Sequence, residues 1–398
     1  MRHTRKAVCV LLVLALASML LPSSMAKYVT TGSKNITMVW TTQLDYTSAS
    51  SLPINASYGG WYAFCIWGAC GSAGHTGGSG YSTYGKGGWV KGAVYLTGGT
   101  TYYLIVGGRG GPAGGNNCWV AGTSGGGKGY GQPDNSNQTQ FYGGGGGGYS
   151  GIFTVASVTN MQSAQAIVVA GGGGGGTAYG GNGINGSRGW GGDGGNLYVV
   201  GTMPGNNGGD ANNIHCGPGG ANANDLLTLG IYGSGCGGAT NWQNQNTLVD
   251  LSEGYMRPTN YTTGRGGDAK GTPNAPAAGG GGGGYYGGGA GGCLNYSVIT
   301  NATYTKIYQY YRTGGNAAGY GNSPGYKYSD TNASWAGGGG GGASFIGGTN
   351  PRGLAQLPQK VQDWCNSFSE PAAPYNGEVH LLYLGPNDPA TGTWNVTL

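Results

Sequence analysis

The sequence contains few charged residues. Asp, Glu, Lys and Arg make up 8% of the 398 residues, whereas an ordinary soluble domain contains about 25%. The N-terminal 26 residues hold three of the 18 basic residues and none of the 13 acidic ones, so the rest of the chain has a net charge of +2 rather than +5. This balance predicts no basic patch, and we expect no binding to nucleic acid.

Long hydrophobic runs are also lacking, except at the N-terminus. The apolar stretch 7–21 has 15 residues, whereas a membrane-spanning helix needs about 20. It follows three basic residues and precedes Ser24-Met25-Ala26, which is the order of a secretory signal peptide. We therefore predict a signal peptide over 1–26 and a secreted, extracellular protein with no membrane span.

Residues that commonly carry catalysis are scarce. Beyond the signal peptide the histidines are His75, His215 and His380, and none lies in a recognised catalytic motif. The G-x-S-x-G match around Ser124 has glycine-rich flanks, whereas a nucleophile elbow follows a strand and opens a helix. The acidic residues include no evident pair for glycoside hydrolysis. We predict no catalytic residues, no cofactor and no metal site. A secreted hydrolase is therefore the least favoured of three functions, after recognition or adhesion and a structural role.

Cysteine is present in an odd number once the signal peptide is removed. An oxidising compartment favours disulfides, but spacing does not give their connectivity, and one thiol must stay free or pair between chains. No second close pair with a histidine follows Cys65 and Cys70, so the spacing is not that of a zinc site. The disulfide candidates are Cys65, Cys70, Cys118, Cys216, Cys236, Cys293 and Cys365.

Glycosylation sequons agree with a secretory route. Nine Asn-x-Ser/Thr motifs occur in the chain, and each one that is used must lie on the surface. The predicted glycosylation sites are Asn35, Asn55, Asn137, Asn185, Asn260, Asn295, Asn301, Asn332 and Asn395.

Glycine is in large excess, with 94 residues. Four runs contain six glycines each, at 143–148, 171–176, 279–284 and 337–342. Unrelated sequence separates them, which excludes a fixed-period solenoid, and the chain lacks the Gly-X-Y period of collagen. A flexible linker is one interpretation, but aromatic or β-forming residues adjoin each run.

A left-handed extended helix is the structure that unbroken glycine favours. It has three residues per turn and rises about 3.1 Å per residue, so six residues span roughly 19 Å. Without side chains, such helices can lie side by side and satisfy one another's backbone N–H and C=O groups. Because ordering glycine is entropically costly, we expect a conventional core to anchor the bundle.

Segments rich in β-branched and aromatic residues predict that core. We expect 90–96 and 101–106 to form a hairpin across a TGGT turn, and 152–158 and 164–170 to form a second one. Residues 354–365 are the one candidate for a short helix. The other predicted strands are 34–43, 60–67, 378–384 and, more weakly, 197–200.

The order of these elements resembles the glycine-rich extracellular domain of the anaplastic lymphoma kinase and leukocyte tyrosine kinase receptors. The resemblance covers about 60–386 and rests on YAFCIWGACGSAGHTGG, GAVYLTGGTTYYLIVGGRGG, the unit 143–176, GGGGGGASFIGG and GEVHLLYL. It implies an all-β fold: a β-sandwich, jelly-roll-like body that carries an inserted bundle of polyglycine II helices, with little α-helix. Similar bundles occur in some phage tail-tip adhesins, in which loops at the bundle end contact the receptor. The chain has no kinase segment, so kinase activity does not transfer.

These observations predict four parts: the signal peptide, an N-terminal strand region over 27–59, a glycine-rich domain over 60–386 and a C-terminal tail over 387–398. We expect non-enzymatic recognition or adhesion, with an extracellular protein or glycan as the partner. The alternative is a structural component of a matrix, wall or surface filament, formed by self-assembly or intermolecular disulfides.

A tyrosine-rich stretch between the third and fourth glycine runs is the candidate binding loop. Its rings offer amphipathic contact surface at little entropic cost, although packing of the rings against the glycine helices is an alternative interpretation. The candidate residues are Tyr304, Tyr308, Tyr310 and Tyr311.

Overall fold

The computed structural model describes thirteen stretches of the chain. These are residues 43–46, 50–54, 59–76, 84–111, 120–129, 141–158, 165–177, 190–206, 264–269, 279–291, 293–295, 334–336 and 338–391. They contain β-strands, a short 3-10 turn at Leu354–Gln356 and one α-helix, α1 (Gln359–Ser367). The prediction of an all-β protein with little helix is confirmed.

The strands are short and are numbered in chain order. They are β1 (Gln43–Tyr46), β2 (Ser50–Ile54), β3 (Gly60–Trp67), β4 (His75–Thr76), β5 (Trp89–Leu96), β6 (Thr100–Ile105), β7 (Phe141–Tyr142), β8 (Ser150–Phe153), β9 (Ala166–Ala170), β10 (Gly201–Met203), β11 (Cys293–Asn295), β12 (Ser334–Ala336), β13 (Ser344–Ile346), β14 (Thr349–Gly353) and β15 (Glu378–Gly385).

Most strands belong to two antiparallel sheets. The five-stranded sheet has the order β1-β15-β3-β5-β14, and the six-stranded sheet has the order β10-β13-β9-β8-β6-β2. Two smaller ladders pair β4 with β7 and β11 with β12. Strands β1 and β2 lie at edges of the two large sheets, so the predicted N-terminal strand region contributes to the same body as the glycine-rich domain.

The two large sheets share one hydrophobic core. Alternate residues of β3, namely Tyr62, Phe64 and Ile66, are fully buried and pack in one cluster with residues of the six-stranded sheet such as Ile152 and Val168. The period of two places these side chains on one face of the strand. The opposite face of β3 is also buried, which explains why the whole strand reads as an apolar run.

Helix α1 covers that opposite face. The helix begins after Pro358, and Pro is accepted at a helix start because its missing N–H is not needed there. Its buried residues Val361, Trp364 and Cys365 follow the spacing of one helical face. They pack on the β3 side chains Trp61 and Ala63. The short helix predicted over 354–365 is present with different bounds: a 3-10 turn occupies Leu354–Gln356, and α1 begins at Gln359 and ends two residues later than expected.

The hairpin predicted across the TGGT turn is wrong. Strand β5 pairs with β3 and β14, whereas β6 pairs with β2 and β8, so the turn carries the chain from one sheet to the other. Gly99, with φ +77°, makes this turn, and the Thr97 N–H donates to the Tyr102 hydroxyl at 3.0 Å. Crossing between sheets lets Leu96 and Leu104 face the shared core from both sides.

The second predicted hairpin is confirmed with shorter strands. Strands β8 and β9 are antiparallel neighbours, and Ile152 lies opposite Val168. The predicted strands 60–67 and 378–384 are present as β3 and β15. The weak strand 197–200 is displaced, because Leu197 makes only an isolated bridge to Val90 and the strand begins at Gly201. The prediction 34–43 lies outside the described residues except for Gln43, which begins β1.

Truncation of a core ring should destabilise the body. Phe64 is fully buried between the two sheets, so Phe64→Ala should lower the free energy of unfolding by about 3–5 kcal/mol. Val199→Ala is the control, because Val199 is 49% exposed and its truncation should change stability by no more than about 0.5 kcal/mol. Denaturant unfolding of both variants measures the difference. Equal effects would contradict the shared core.

Candidate functional site

Glycine-rich segments continue directly from the ends of the strands. The segment 68–72 follows β3, 107–111 follows β6 and 171–176 follows β9, while 84–88 leads into β5 and 143–148 leads towards β8. These segments lie side by side and hydrogen bond through their backbones. We call the whole assembly, which also contains the segments near 122–129, 191–195, 264–269, 279–291 and 338–342, the glycine array.

The amides of the run 171–176 donate with a period of three. Gly172 and Gly175 both donate to the run 279–284, at N···O distances of 2.6 and 2.8 Å. Residues three apart therefore point in the same direction, as in a helix with three residues per turn. The amides of Gly173 and Gly176, again three apart, both donate to the segment 68–72, and the Gly174 amide donates to the segment 191–195.

The carbonyls of the same run accept from three other segments. Gly171 and Gly174 accept from the amides of Gly88 and Gly85, at 2.7 and 2.8 Å. The remaining carbonyls accept from two more segments, 143–148 and 338–342. The run therefore has six neighbours, three that receive its hydrogen bonds and three that donate to it, and its peptide groups are paired on every side.

Six neighbours leave no space for a side chain on this run. At every position from 171 to 175, an added Cβ would lie closer than 3.0 Å to a carbonyl oxygen of a neighbouring segment. The blocking atoms belong to backbone, which cannot rotate away as a side chain can. This close approach explains why the run contains glycine only.

Serine hydroxyls satisfy the amides where the array meets the sheets or lacks a neighbour. The Ser344 hydroxyl accepts from the Gly171 amide at 2.9 Å and donates to the Gly195 carbonyl. The Ser150 hydroxyl accepts from the Gly107 amide at 3.0 Å. Both serines are fully buried, so each hydroxyl replaces a backbone partner that a full array would supply.

Asp and Asn side chains also accept hydrogen bonds from backbone amides, at the outer edge of the glycine array. The Lys86 amide donates to Asp193 and the Lys128 amide donates to Asp268, both at 2.7 Å. Sequence reasoning missed this role, although an acid inside an otherwise glycine-rich segment, as in GGDGG, was the available signal. Asn376 and Asn196 accept from the amides of Arg109 and Trp89.

Insertions leave the array at the end that lies away from the sheets. The Gly68 amide donates to Gly88 next to the sheet, and the Gly71 amide donates to Gly85 farther along, so the chain runs outward after β3 and returns before β5. Pairing at the outer end continues in the ladders β4–β7 and β11–β12. Six ranges join neighbouring segments at this distal end: 77–83, 112–119, 130–140, 178–189, 270–278 and 296–333.

The candidate binding loop belongs to one of these ranges. Tyr304, Tyr308, Tyr310 and Tyr311 lie outside the described residues, in the range 296–333 that joins β11 to β12. Of the nine sequons only Asn295, at the end of β11, falls within them. Four more lie in distal ranges: Asn137, Asn185, Asn301 and Asn332.

The described cysteines with placed side chains are free thiols. Cys65, Cys70 and Cys365 are buried and no two of them are bonded to each other. Burial raises the pKa of the Cys365 thiol to about 12, and burial also raises the pKa of Cys65 and of Cys70 above the usual 9.0. Protonated thiols are poor nucleophiles. Cys118, Cys216 and Cys236 lie outside the described residues, and Cys293 begins β11.

The outer face of the five-stranded sheet carries a row of aromatic rings beside the helix. His380, 8% exposed, lies between the rings of Trp67 and Phe368, at centroid distances of 5.6 and 4.1 Å. Its Nε2 is 3.1 Å from a Glu378 carboxylate oxygen. The Lys91 ammonium lies 6.0 Å from the Trp67 ring centre, so cation–π contact extends the row. These contacts indicate that the His380 ring has a packing role.

Exposed apolar side chains concentrate next to an edge strand. Tyr198, Val199 and Val200 are 46–52% exposed, and Met203 in β10 is 38% exposed. Strand β10 lies at the edge of the six-stranded sheet and pairs on one side with β13. We call Tyr198, Val199, Val200 and Met203 the edge patch.

The motifs weighed for chemistry have structural roles here. Ser124 has φ +62° within a turn, and its carbonyl accepts from the Tyr149 amide at 2.8 Å. Within the described stretches, no group of three His, Cys, Asp or Glu residues is arranged to hold a metal ion. Among the same residues, no helix has the length and apolar character to cross a membrane.

No protein-family model matches the chain, and no curated protein matches it at a significant level.

A side chain placed inside the run 171–176 should abolish folding. An added Cβ at Gly174 would overlap the Gly339 carbonyl, so Gly174→Leu should lower the secreted yield at least about tenfold, with Gly174→Ala close behind. Lys128→Ala is the matched control, because Lys128 lies in a glycine segment but its side chain is exposed. Yield and melting temperature measure the effect. A secreted Gly174→Leu protein as stable as the parent would refute the close packing.

Stability should fall at high pH because of buried Tyr149. Burial raises its pKa from 10.0 to about 12, so the folded protein holds this proton more tightly than the unfolded chain. The resulting stability is complete below pH 10 and is lost as the pH rises from 10 to 12, by about 1.4 kcal/mol per pH unit. Tyr149→Phe should flatten this part of the unfolding profile. Identical profiles for the parent and Tyr149→Phe would contradict the assignment.

Proposed function

We propose that the protein is a secreted, non-enzymatic recognition or adhesion protein whose glycine array is a stiff scaffold. The observation that carries the proposal is the position of the insertions. Six ranges of very different length, from 77–83 to 296–333, join neighbouring segments at one end of the array. A scaffold that brings many connections to one end offers a composite surface for a partner, as binding loops do on other rigid frameworks.

The glycine segments are, in this proposal, polyglycine II helices. The three-residue period of their hydrogen bonds supports this assignment, and so does the exclusion of Cβ atoms around the run 171–176. Two antiparallel sheets with a common core support a β-sandwich, jelly-roll-like body. Together they support kinship with the glycine-rich domain of the anaplastic lymphoma kinase and leukocyte tyrosine kinase receptors, without the kinase.

The proposed partner is an extracellular protein or glycan. The tyrosines of the range 296–333 are the recognition residues we propose, since Tyr gives large amphipathic contact area with few rotatable bonds. Glycans on Asn137, Asn185, Asn301 and Asn332 would flank this surface. Secretion rests on the N-terminal signal sequence.

A structural role in a matrix or filament is the second candidate. The edge patch favours it, because an apolar edge strand is a template for pairing with another chain. The low charge of the chain also favours a structural role, since little electrostatic repulsion opposes the association of one copy with another.

Binding of the secreted chain to intact cells tests the proposal. The tagged full chain is expressed in eukaryotic cells, purified from the medium and titrated onto cells by flow cytometry. Replacement of the four candidate tyrosines by Ala should weaken binding at least about tenfold, because truncation of a few aromatic anchors removes most interface energy. Recognition by these rings predicts an unchanged melting temperature, whereas a lower one would favour packing of the rings against the glycine helices.

The control replaces Tyr198, Val199 and Val200 by Ala. We expect this variant to bind cells as the parent does. Loss of binding in this variant alone would move the recognition surface to the edge patch. If the parent binds no cell type and forms filaments at rising concentration, the structural role replaces recognition.

A further inference from the structure

Two of the buried thiols, on β3 and α1, hydrogen bond across the interface between these two elements. The Cys65 Sγ lies 3.5 Å from the carbonyl oxygen of Cys365, to which its thiol donates. The Cys365 thiol in turn donates to the carbonyl oxygen of Phe64, the residue before Cys65, at 3.8 Å. Each thiol therefore reaches the backbone of the other cysteine's own segment, and the two side chains approach each other from facing elements.

The surroundings of the two thiols are apolar. Both cysteines are fully buried, and Cys365 packs in one cluster with Trp61, Ala63 and Leu382. Lys91 and Glu378 are the charged groups that act on Cys65 from the neighbouring strands β5 and β15. Within the described residues, neither thiol has a hydrogen-bond partner other than the carbonyl named above, so no polar role competes with a bond between them.

Cys70 provides the contrast. It is buried within the array, where its thiol donates to the Tyr375 carbonyl at 3.1 Å and its sulfur accepts from the Tyr375 amide at 2.8 Å. The Tyr375 backbone provides both an acceptor and a donor for the Cys70 thiol. The Cys70 thiol is therefore a packing residue of the array, whereas the Cys65 and Cys365 thiols each contact the backbone of the other's segment.

We propose that Cys65 and Cys365 form a disulfide that ties α1 to the five-stranded sheet, and that the structure shows the reduced form of this pair. The bond would close a loop between residues 300 positions apart. Long loops lose the most unfolded-state entropy when they are closed. Each thiol already lies 3.5 or 3.8 Å from a backbone carbonyl of the other cysteine's segment, so the bond requires the two sulfurs to turn toward each other.

The bond forms by exchange with a disulfide oxidant, such as glutathione disulfide or a protein disulfide. One cysteine thiolate attacks the oxidant, which forms a mixed disulfide and expels one thiol. The second cysteine then attacks the mixed disulfide and expels the other thiol. Two S–H bonds are lost and one S–S bond is made, so the pair gives two electrons and two protons to the oxidant.

Burial also decides when the bond can form. The high pKa of both thiols keeps them protonated in the folded protein, and thiolate is the species that reacts. We therefore place the reaction before α1 closes over β3. A folded, reduced protein should react with glutathione disulfide much more slowly than the same chain during refolding.

Peptide mapping of the secreted full chain tests the proposal. Free thiols are blocked with N-ethylmaleimide in guanidinium chloride without reduction, and the chain is digested and analysed by mass spectrometry. We expect a cross-linked peptide pair that contains Cys65 and Cys365, which disappears on reduction. N-ethylmaleimide on both cysteines in the unreduced parent would overturn the proposal, and this measurement needs no variant to fold.

Variants give an independent test through non-additivity. If the bond exists, Cys65→Ala, Cys365→Ala and the double variant should lower the melting temperature by the same amount, roughly 5–15 °C. If the thiols are separate, the two single losses should add instead, which would contradict the bond. Cys70→Ala is the matched control, since the cross-linked peptide should persist in it unchanged.

The proposal rests on the proposed secretion, but the two can fail separately. If the chain is not secreted, the reduced full chain can be refolded with glutathione disulfide in vitro. Formation of the Cys65–Cys365 peptide there would support the pair without secretion. Its absence, in refolded protein with the parent's far-UV spectrum, would refute the pair whatever the compartment.

Discussion

The structure depends on one constraint: every backbone N–H and C=O group in the glycine array must find a partner in another segment. An unpaired peptide group costs free energy when it is buried, and a glycine helix offers no side chain to compensate. The run 171–176 meets the constraint by having six neighbours. Removal of one neighbour would leave a row of unpaired groups three residues apart, so the array is stable only as a whole.

The sheets make that arrangement accessible. The end of a strand fixes the position and direction of the glycine segment that adjoins it. In the antiparallel pair β8 and β9, Ser150 lies opposite Ala170, so the adjoining glycine segments meet the sheet side by side. The core then offsets the entropy lost by ordering glycine. Buried serines at the junction, such as Ser344, join the two hydrogen-bonding patterns. Body and array are therefore one cooperative unit despite their different chemistry.

Sequence reasoning reached the elements that depend on local pattern. Strands β3 and β15 and the β8–β9 hairpin follow from alternation and β-branched content, and unbroken glycine indicated side-by-side packing. The connection between β5 and β6 was missed, because a TGGT turn is equally compatible with a hairpin and with a crossing between sheets. Its outcome depends on which faces meet in the core, and that is a tertiary property. The amide partners Asp193 and Asp268 were missed for the same reason, because the amides they serve are over 100 residues away in sequence.

The insertions obey a different constraint from the array that carries them. Each begins and ends on neighbouring segments, so the entropic cost of closing it grows only with the logarithm of its length, by about 0.6 kcal/mol per doubling. A change from a short range such as 77–83 to a long one such as 296–333 therefore costs little stability. In contrast, a single methyl group at Gly174 would overlap backbone. Changes of length are thus tolerated in the distal ranges, whereas side chains are not tolerated inside the array, and the proposed recognition role requires this division.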